Sequence, residues 1–190
     1  MQLTHTKKLV LCALLTALTT VSTMIIQIPS PTSGYVNLGD VFVLFSAFCL
    51  GPIYGAVAAG VGSALADLLS GYVIYAPGTL IIKAVMAICA YFVFIWLKKL
   101  FKRSYPSMLF GAITAEIIMI AGYFLYSCLI MGEGLAAAAS ILGNVVQGTV
   151  GIIAAPLLVE VMLYAVKGFV KNKGDKLETI EKKEDNNDKI

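Results

Sequence analysis

The amino-acid sequence predicts an all-α integral membrane protein with six transmembrane helices. Of its 190 residues, 59% are hydrophobic and only 13% are charged, whereas a soluble domain is about half apolar and about a quarter charged. The apolar residues fall into six runs, separated by proline, glycine or charged residues. A span needs about 20 residues, so six spans leave no room for a soluble catalytic domain, and we expect no enzyme.

The first predicted span covers residues 9–28 and follows Lys7 and Lys8. A charged start before an apolar run resembles a signal peptide, but this run is too long and lacks a small-residue cleavage site. We therefore expect a retained helix. Ala13 and Ala17 give it the small-xxx-small spacing that lets two helix backbones approach closely.

The next three spans are separated by residues that break helices. Pro29, Pro31 and Gly34 predict a loop, and a short second span follows at residues 38–50. Gly51-Pro52 ends it. The third span, residues 54–69, is rich in glycine, alanine and serine, which predicts tight packing among neighbouring helices. The fourth span covers residues 79–97.

Two further spans and a charged tail complete the chain. The fifth span covers residues 108–130 and the sixth residues 135–166, which is longer than a bilayer requires. Pro156 predicts a kink in the sixth span. Residues 1–168 are thus the membrane domain, and the mixed charge and few large apolar residues of 169–190 predict a disordered cytoplasmic tail.

The basic residues predict the orientation of the chain. Lys and Arg concentrate in segments on the cytoplasmic side, and with six spans and a cytoplasmic N-terminus thirteen of the fourteen basic residues lie on that side. They are Lys7, Lys8, Lys98, Lys99, Lys102, Arg103, Lys167, Lys171, Lys173, Lys176, Lys182, Lys183 and Lys189. Both termini are therefore predicted to be cytoplasmic, and Lys83 is the basic residue left within a span.

Several kinds of chemistry are excluded by the residues available. His5, the sole histidine, lies before the first span, so we expect no catalytic dyad and no histidine-based metal site in the membrane. The four cysteines follow no metal or disulfide spacing, and no phosphate-binding loop is present. Topology accounts for the net charge of +3, so we expect no cofactor and no nucleic-acid partner.

Asp67 and Lys83 are charged residues within apolar spans, where an unpaired charge is costly and therefore indicates function. Both lie close to the outer ends of their spans, at similar depth on consecutive helices. The two residues are compatible with a structural ion pair, with a ligand contact made by Lys83, or with a proton relay.

A polar stripe runs along the sixth span. Asn144, Gln147, Gly148, Gly151 and Ala155 recur at helical spacing on one face. The amides either bind a neighbouring helix or bind a polar heterocycle in the space that the small residues leave. We favour the ligand.

The fifth span carries Glu116, Tyr123 and Ser127 on one face. Glu116 is expected to be neutral or to pair with a neighbouring helix. Tyr123 is expected either to stack on a ligand or to belong to the aromatic belt at the membrane interface.

Tyr35, Asn37 and Asp40 lie on the first outer loop and at the start of the second span. These residues either close over a site as a lid or cap the helix, since Asn and Asp are favoured at helix N-termini. The candidate binding residues are therefore Tyr35, Asn37, Asp40, Asp67, Lys83, Glu116, Tyr123, Asn144 and Gln147.

Four segments, together with size and topology, resemble the substrate-binding S components of energy-coupling factor (ECF) vitamin transporters. The segments are NLGD at residues 37–40, LGP at 50–52, GSALADLLSGY at 62–72 and YAPGTLIIK at 75–83. They are most similar to the branch associated with hydroxymethylpyrimidine, a thiamine precursor, or pyridoxine.

The resemblance implies a six-helix subunit of a prokaryotic cell membrane that binds a vitamin at its outer side and closes the first outer loop over it. It also implies docking, through Ala13 and Ala17, onto a transmembrane coupling subunit that two cytoplasmic ATPases drive. The expected function is capture of pyridoxine or hydroxymethylpyrimidine. A riboflavin-type S component, a stand-alone proton-coupled carrier and an assembly protein without a ligand remain as alternatives.

Overall fold

The structure, a computed structural model, describes residues 4–29 and 34–187, with side chains through residue 168. This part of the chain contains six α-helices and one short β-hairpin. The helices are α1 (His5–Ile25), α2 (Gly39–Leu50), α3 (Pro52–Leu69), α4 (Ala76–Phe101), α5 (Ser104–Leu125) and α6 (Ile141–Asn187), and the hairpin strands are β1 (Ile28–Pro29) and β2 (Tyr35–Val36).

Five of the six helical segments are long and apolar enough to cross a membrane. The exception is α2, whose 12 residues extend about 18 Å, against roughly 30 Å for a hydrocarbon core. The predicted all-helical membrane fold is therefore confirmed, while a full span for α2 stays a prediction.

Helix α3 lies at the centre of the helices that precede α5. It packs against α1, α2 and α4. A Cβ added to Gly55, Gly60 or Gly62 would lie within 2.8 Å of the backbone of α2, α4 and α1 respectively. The Thr20 hydroxyl of α1 also donates a 2.9 Å hydrogen bond to the Gly62 carbonyl. The tight packing predicted for this helix is confirmed.

The β-hairpin connects α1 to α2 and is antiparallel, with Ile28 opposite Val36 and Pro29 opposite Tyr35. It replaces the last helical turn predicted for the first span, because α1 ends at Ile25. Gln27 ties it to the end of α3 through a 2.7 Å hydrogen bond to the Ser70 hydroxyl. We refer to this side of the helices as the hairpin end.

Irregular helical segments connect α5 to α6 at the same end. Helix α5 continues as a π-helical turn, Tyr126–Ile130, and a 3₁₀ helix, Gly134–Ser140, precedes α6. Gly132 and Gly134 have positive φ angles of 76° and 57°, which glycine adopts without a steric penalty. The π-helical turn places Ser127, and the 3₁₀ helix places Ser140, toward the interior, where both are buried.

The distribution of side chains is that of a protein surrounded by lipid. Large apolar side chains are exposed on all the long helices, whereas acidic, basic and hydroxyl groups are buried among them. Trp96 is the single tryptophan of the sequence. It is 67% exposed and lies in the part of α4 farthest from the hairpin end.

The chain divides into two compact units, residues 1–156 and residues 157–190. The first contains the hairpin, helices α1 to α5 and the beginning of α6. The second consists of the rest of α6 and the tail. The structure describes residues 169–187 as the helical end of α6, without their side chains. The disorder predicted for residues 169–190 stays a prediction, as does the kink at Pro156.

Candidate functional site

A small cavity of about 40 Å³ lies at the hairpin end of the first unit. The hairpin, α3, α4, α5 and α6 all contribute to its lining, so its shape depends on elements distant in sequence. The lining residues are Gly34, Tyr35, Asn37, Asp67, Tyr75, Thr79, Tyr123, Ser127, Ser140, Asn144 and Gln147.

Asp67 and Tyr35 join the hairpin to α3 at the cavity. The Tyr35 phenol donates a 2.6 Å hydrogen bond to Oδ1 of Asp67, and its ring lies 4.5 Å from that of Tyr72, measured between centroids. Burial and the neighbouring Asp67 carboxylate raise the pKa of the Tyr35 phenol. Tyr35 is therefore a neutral hydrogen-bond donor at physiological pH.

Hydroxyl groups form much of the remaining wall. Tyr123 donates to the Thr79 hydroxyl over 3.1 Å, and the Tyr75 and Ser127 hydroxyls lie 3.5 Å apart. Burial raises the pKa of the Tyr75 phenol, which therefore stays protonated as well. A wall of neutral hydroxyls can both donate and accept hydrogen bonds, which suits an uncharged polar ligand.

A second group of polar side chains, which we call the Asp40 network, lies beside the cavity. Lys83 of α4 forms an ion pair with Oδ1 of Asp40, and the Gln147 amide donates to Oδ2 of Asp40 over 2.6 Å. The Gln147 carbonyl accepts a 2.8 Å hydrogen bond from the Asn37 backbone N–H. The network thus fixes the start of α2 against α4 and α6.

Glu116 of α5 lies next to this network and interacts electrostatically with Asp40 and Lys83. It is 2% exposed, and neither of its oxygens has a hydrogen-bond partner among the described residues. A Cβ on Gly148 or Gly151 would lie 3.0 Å or 2.6 Å from a Glu116 oxygen. The two glycines of the predicted stripe therefore make room for the carboxyl group.

Six of the nine candidate binding residues line the cavity, and three do not. The six are Tyr35, Asn37, Asp67, Tyr123, Asn144 and Gln147. Asp40, Lys83 and Glu116 instead lie in or beside the Asp40 network. Gln147 belongs to both groups, which makes it the direct connection between them.

The ion pair suggested between Asp67 and Lys83 is wrong. Lys83 does form an ion pair, but with Asp40. Matching depth on consecutive helices suggested Asp67, but α4 packs against α2 as well as α3. The capping role suggested for Asp40 is replaced by this ion pair. Asn37 precedes Leu38, the N-cap residue of α2, and its side-chain oxygen accepts a 2.8 Å hydrogen bond from the Gly39 N–H.

Sequence reasoning did not include Gly34, Tyr75, Thr79, Ser127 or Ser140 among the candidate binding residues. Helical spacing contained a usable signal for four of them. Tyr75 and Thr79 precede Lys83 at four-residue intervals on α4, Ser127 follows Tyr123 by four residues, and Ser140 precedes Asn144 by four. Extending each polar stripe by one turn toward the hairpin end would have found them.

Ala13 and Ala17, the predicted docking residues, are exposed on α1. Leu14 and Leu18 beside them are also exposed, whereas Thr20 faces α3. The small-xxx-small face is therefore not covered by another helix in the described part of the chain.

Two of the comparisons with known proteins point to S components of ECF transporters. The family described as "ECF-type riboflavin transporter, S component" matches residues 3–164. A Pyrococcus woesei protein, "Uncharacterized protein in gap 3'region", is 38% identical over 135 residues, or 70% of this chain and 86% of that protein. A solved structure, "Structure and mechanism of the S component of a bacterial ECF transporter", aligns with a TM-score of 0.70 at 25% identity and covers 86% of this chain and 99% of that chain.

Proposed function

The chain belongs to the family of ECF-type riboflavin transporter S components, and we propose that it captures a water-soluble vitamin or vitamin precursor in the cavity at the hairpin end. The family is one of transporter subunits and not of enzymes. The main support for this proposal is that five separate elements bring polar side chains together in one cavity within an otherwise apolar helical protein.

The distribution of basic residues supports an orientation for this cavity. Both terminal segments and residues 98–103 carry thirteen of the fourteen basic residues, which supports a cytoplasmic location for these segments in a prokaryotic cell membrane. The hairpin end then faces outward, and the substrate enters from outside. Tyr35 and Asn37 lie where the hairpin would cover the bound substrate.

The cavity wall supports a small heteroaromatic substrate such as pyridoxine or hydroxymethylpyrimidine. Hydroxyl and amide groups can bond ring nitrogens and hydroxymethyl groups, and the tyrosine rings offer stacking surfaces. A volume of about 40 Å³ holds about one water molecule, since a water occupies about 30 Å³ in the liquid. Substrate entry therefore requires displacement of wall residues, and a single-ring vitamin requires less displacement than a three-ring one.

Riboflavin is the second candidate, and the description of the matching family favours it. Its ring system is larger than the present cavity, so binding would require the hairpin and the start of α6 to move apart. The polar groups needed for its ring edges are present in the same wall. The two candidates therefore differ in the rearrangement that they require.

Inward delivery would use partner proteins, because no phosphate-binding loop occurs in the sequence. We assign this role to a transmembrane coupling subunit driven by two cytoplasmic ATPase subunits. The exposed Ala13–Ala17 face of α1 would let the backbone of a partner helix approach closely.

The test is ligand-induced thermal stabilisation of the detergent-purified chain with pyridoxine, hydroxymethylpyrimidine, thiamine and riboflavin. A ligand at a thousandfold excess over its dissociation constant adds about 4 kcal/mol to the free energy of unfolding. We expect one compound to raise the melting temperature. Absence of a shift with all four would contradict vitamin capture.

A second measurement separates a binding subunit from a stand-alone carrier. The chain alone in liposomes should bind its vitamin but not concentrate it, with or without a pH gradient. Concentrative uptake by the chain alone would favour the proton-coupled carrier and contradict the subunit role.

A further inference from the structure

Asp67 presents an unused hydrogen-bond acceptor at the cavity. The residue is 4% exposed, and Oδ1 accepts the Tyr35 phenol. Oδ2 is buried and has no hydrogen-bond partner among the described residues. The Thr79 hydroxyl interacts with the same carboxyl group but makes no hydrogen bond to Oδ2. A buried acceptor without a partner is costly, so its retention at a cavity points to a ligand.

The described lining of the cavity contains an acidic side chain but no basic one. Asp67 is the ionisable acid in the wall, and none of the described lining residues is a lysine, arginine or histidine. Lys83 is committed to Asp40, and its ammonium lies 5.4 Å from the centroid of the Tyr123 ring. Tyr123 itself lines the cavity, whereas Lys83 is not among the described lining residues.

We infer that Oδ2 of Asp67 accepts a hydrogen bond from an N–H or O–H group of the substrate, and that the cavity selects neutral or cationic heteroaromatic molecules against their phosphorylated forms. A phosphate here would meet the Asp67 carboxylate and no basic side chain among the described lining residues, which is costly in a buried site. A hydroxymethyl, ring N–H or amino group instead supplies the missing donor. The inference rests on the proposed function and specifies its substrate class.

The experiment compares each vitamin with its own phosphate ester. Dissociation constants of the full-length purified chain are measured for pyridoxine and pyridoxine 5′-phosphate, and for riboflavin and riboflavin 5′-phosphate. For the pair that binds, we expect the unphosphorylated form to bind at least about tenfold more tightly, since a hydrogen bond to a charged group is worth about 1.5–3 kcal/mol.

Asp67→Asn tests the assigned residue, with Tyr75→Phe as the matched control. Asp67→Asn is expected to weaken binding of the unphosphorylated vitamin about 10- to 100-fold and to reduce its advantage over the phosphate ester. Tyr75→Phe removes a cavity hydroxyl without changing charge, so it should change the affinity for both members of a pair by the same factor.

Three results would overturn the inference. They are equal binding of a vitamin and its phosphate ester by the unaltered chain, unchanged vitamin affinity in Asp67→Asn, and an equal loss of selectivity in Tyr75→Phe. The first needs no variant and decides the matter even if Asp67→Asn does not fold. Binding without selectivity removes this inference alone, whereas failure to bind any vitamin removes the proposed function with it.

Discussion

Asp40 and Asp67 are both acidic residues buried among apolar helices at the hairpin end, but their surroundings differ. Both oxygens of Asp40 are used, one by Lys83 and one by Gln147. Asp67 has one oxygen bonded to Tyr35, whereas its other oxygen, at the cavity, has no hydrogen-bond partner among the described residues. Among those residues, both oxygens of Asp40 are therefore bonded, and only one oxygen of Asp67 is.

The difference separates a structural role from a binding role. A buried ion pair with its remaining hydrogen bonds satisfied holds elements in place, and breaking it is expensive. A carboxylate with a free acceptor contributes less to folding and remains available to a ligand. Both residues are charged and lie in apolar segments, so their burial does not distinguish a structural role from a binding role. The hydrogen-bond and ion-pair partners of each residue do.

The largest effect is expected at Asp40, where both carboxylate oxygens are bonded. Lys83→Met leaves Asp40 buried without its cation, and we expect the free energy of unfolding to fall by about 3–5 kcal/mol. Thermal unfolding of the purified chain in detergent measures the loss. The double variant Lys83→Met with Asp40→Leu should recover most of it, because no unpaired charge remains. Equal instability of the single and double variants would contradict a structural ion pair.

An intermediate effect is expected at Gln147, which belongs to both regions. Gln147→Leu removes the hydrogen bonds to Asp40 and to the Asn37 N–H. We expect a loss of about 1–3 kcal/mol in stability together with weaker vitamin binding. Asn144→Leu is the control, since Asn144 lines the cavity without bonding Asp40. It should weaken binding alone, and loss of stability in both variants would remove the distinction between the two regions.

The smallest effect is expected from Tyr35→Phe, which removes the donor to Oδ1 of Asp67. A hydrogen bond of this kind contributes about 0.5–1.5 kcal/mol, so vitamin affinity should fall about two- to tenfold with little change in melting temperature. Tyr72→Phe keeps the stacked ring and should leave affinity unchanged. Tighter binding in Tyr35→Phe would show instead that the phenol competes with the ligand for Asp67.

The fold was largely predictable because apolar runs and helix-breaking residues carry strong local signals. Leu50 and Leu69 end α2 and α3 at the predicted positions, directly before Gly51 and Ser70. The small residues of α3 also predicted close packing, which the three glycine contacts confirm. The hairpin was not predicted, because two strands of two residues are too short to show a period.

The candidate site was predictable in part. Helical spacing brought Asn144 and Gln147 into one stripe, and Asp67 was evident as a charge in an apolar run. The pairing of Asp40 with Lys83 was not, because it depends on which of several neighbours a helix faces, and spacing along one chain segment does not determine that.

The position of Trp96 gives the protein an optical reporter that is distant from the cavity. Tyr35, Tyr75 and Tyr123 line the cavity, but they are three of nine tyrosines, so tyrosine emission is shared with other parts of the chain. Trp96 is the single tryptophan and lies 17 residues beyond Thr79 on α4, which is about 25 Å along the helix axis. Tryptophan emission should therefore report the lipid or protein that contacts the opposite end of α4, without direct contact with a vitamin in the cavity.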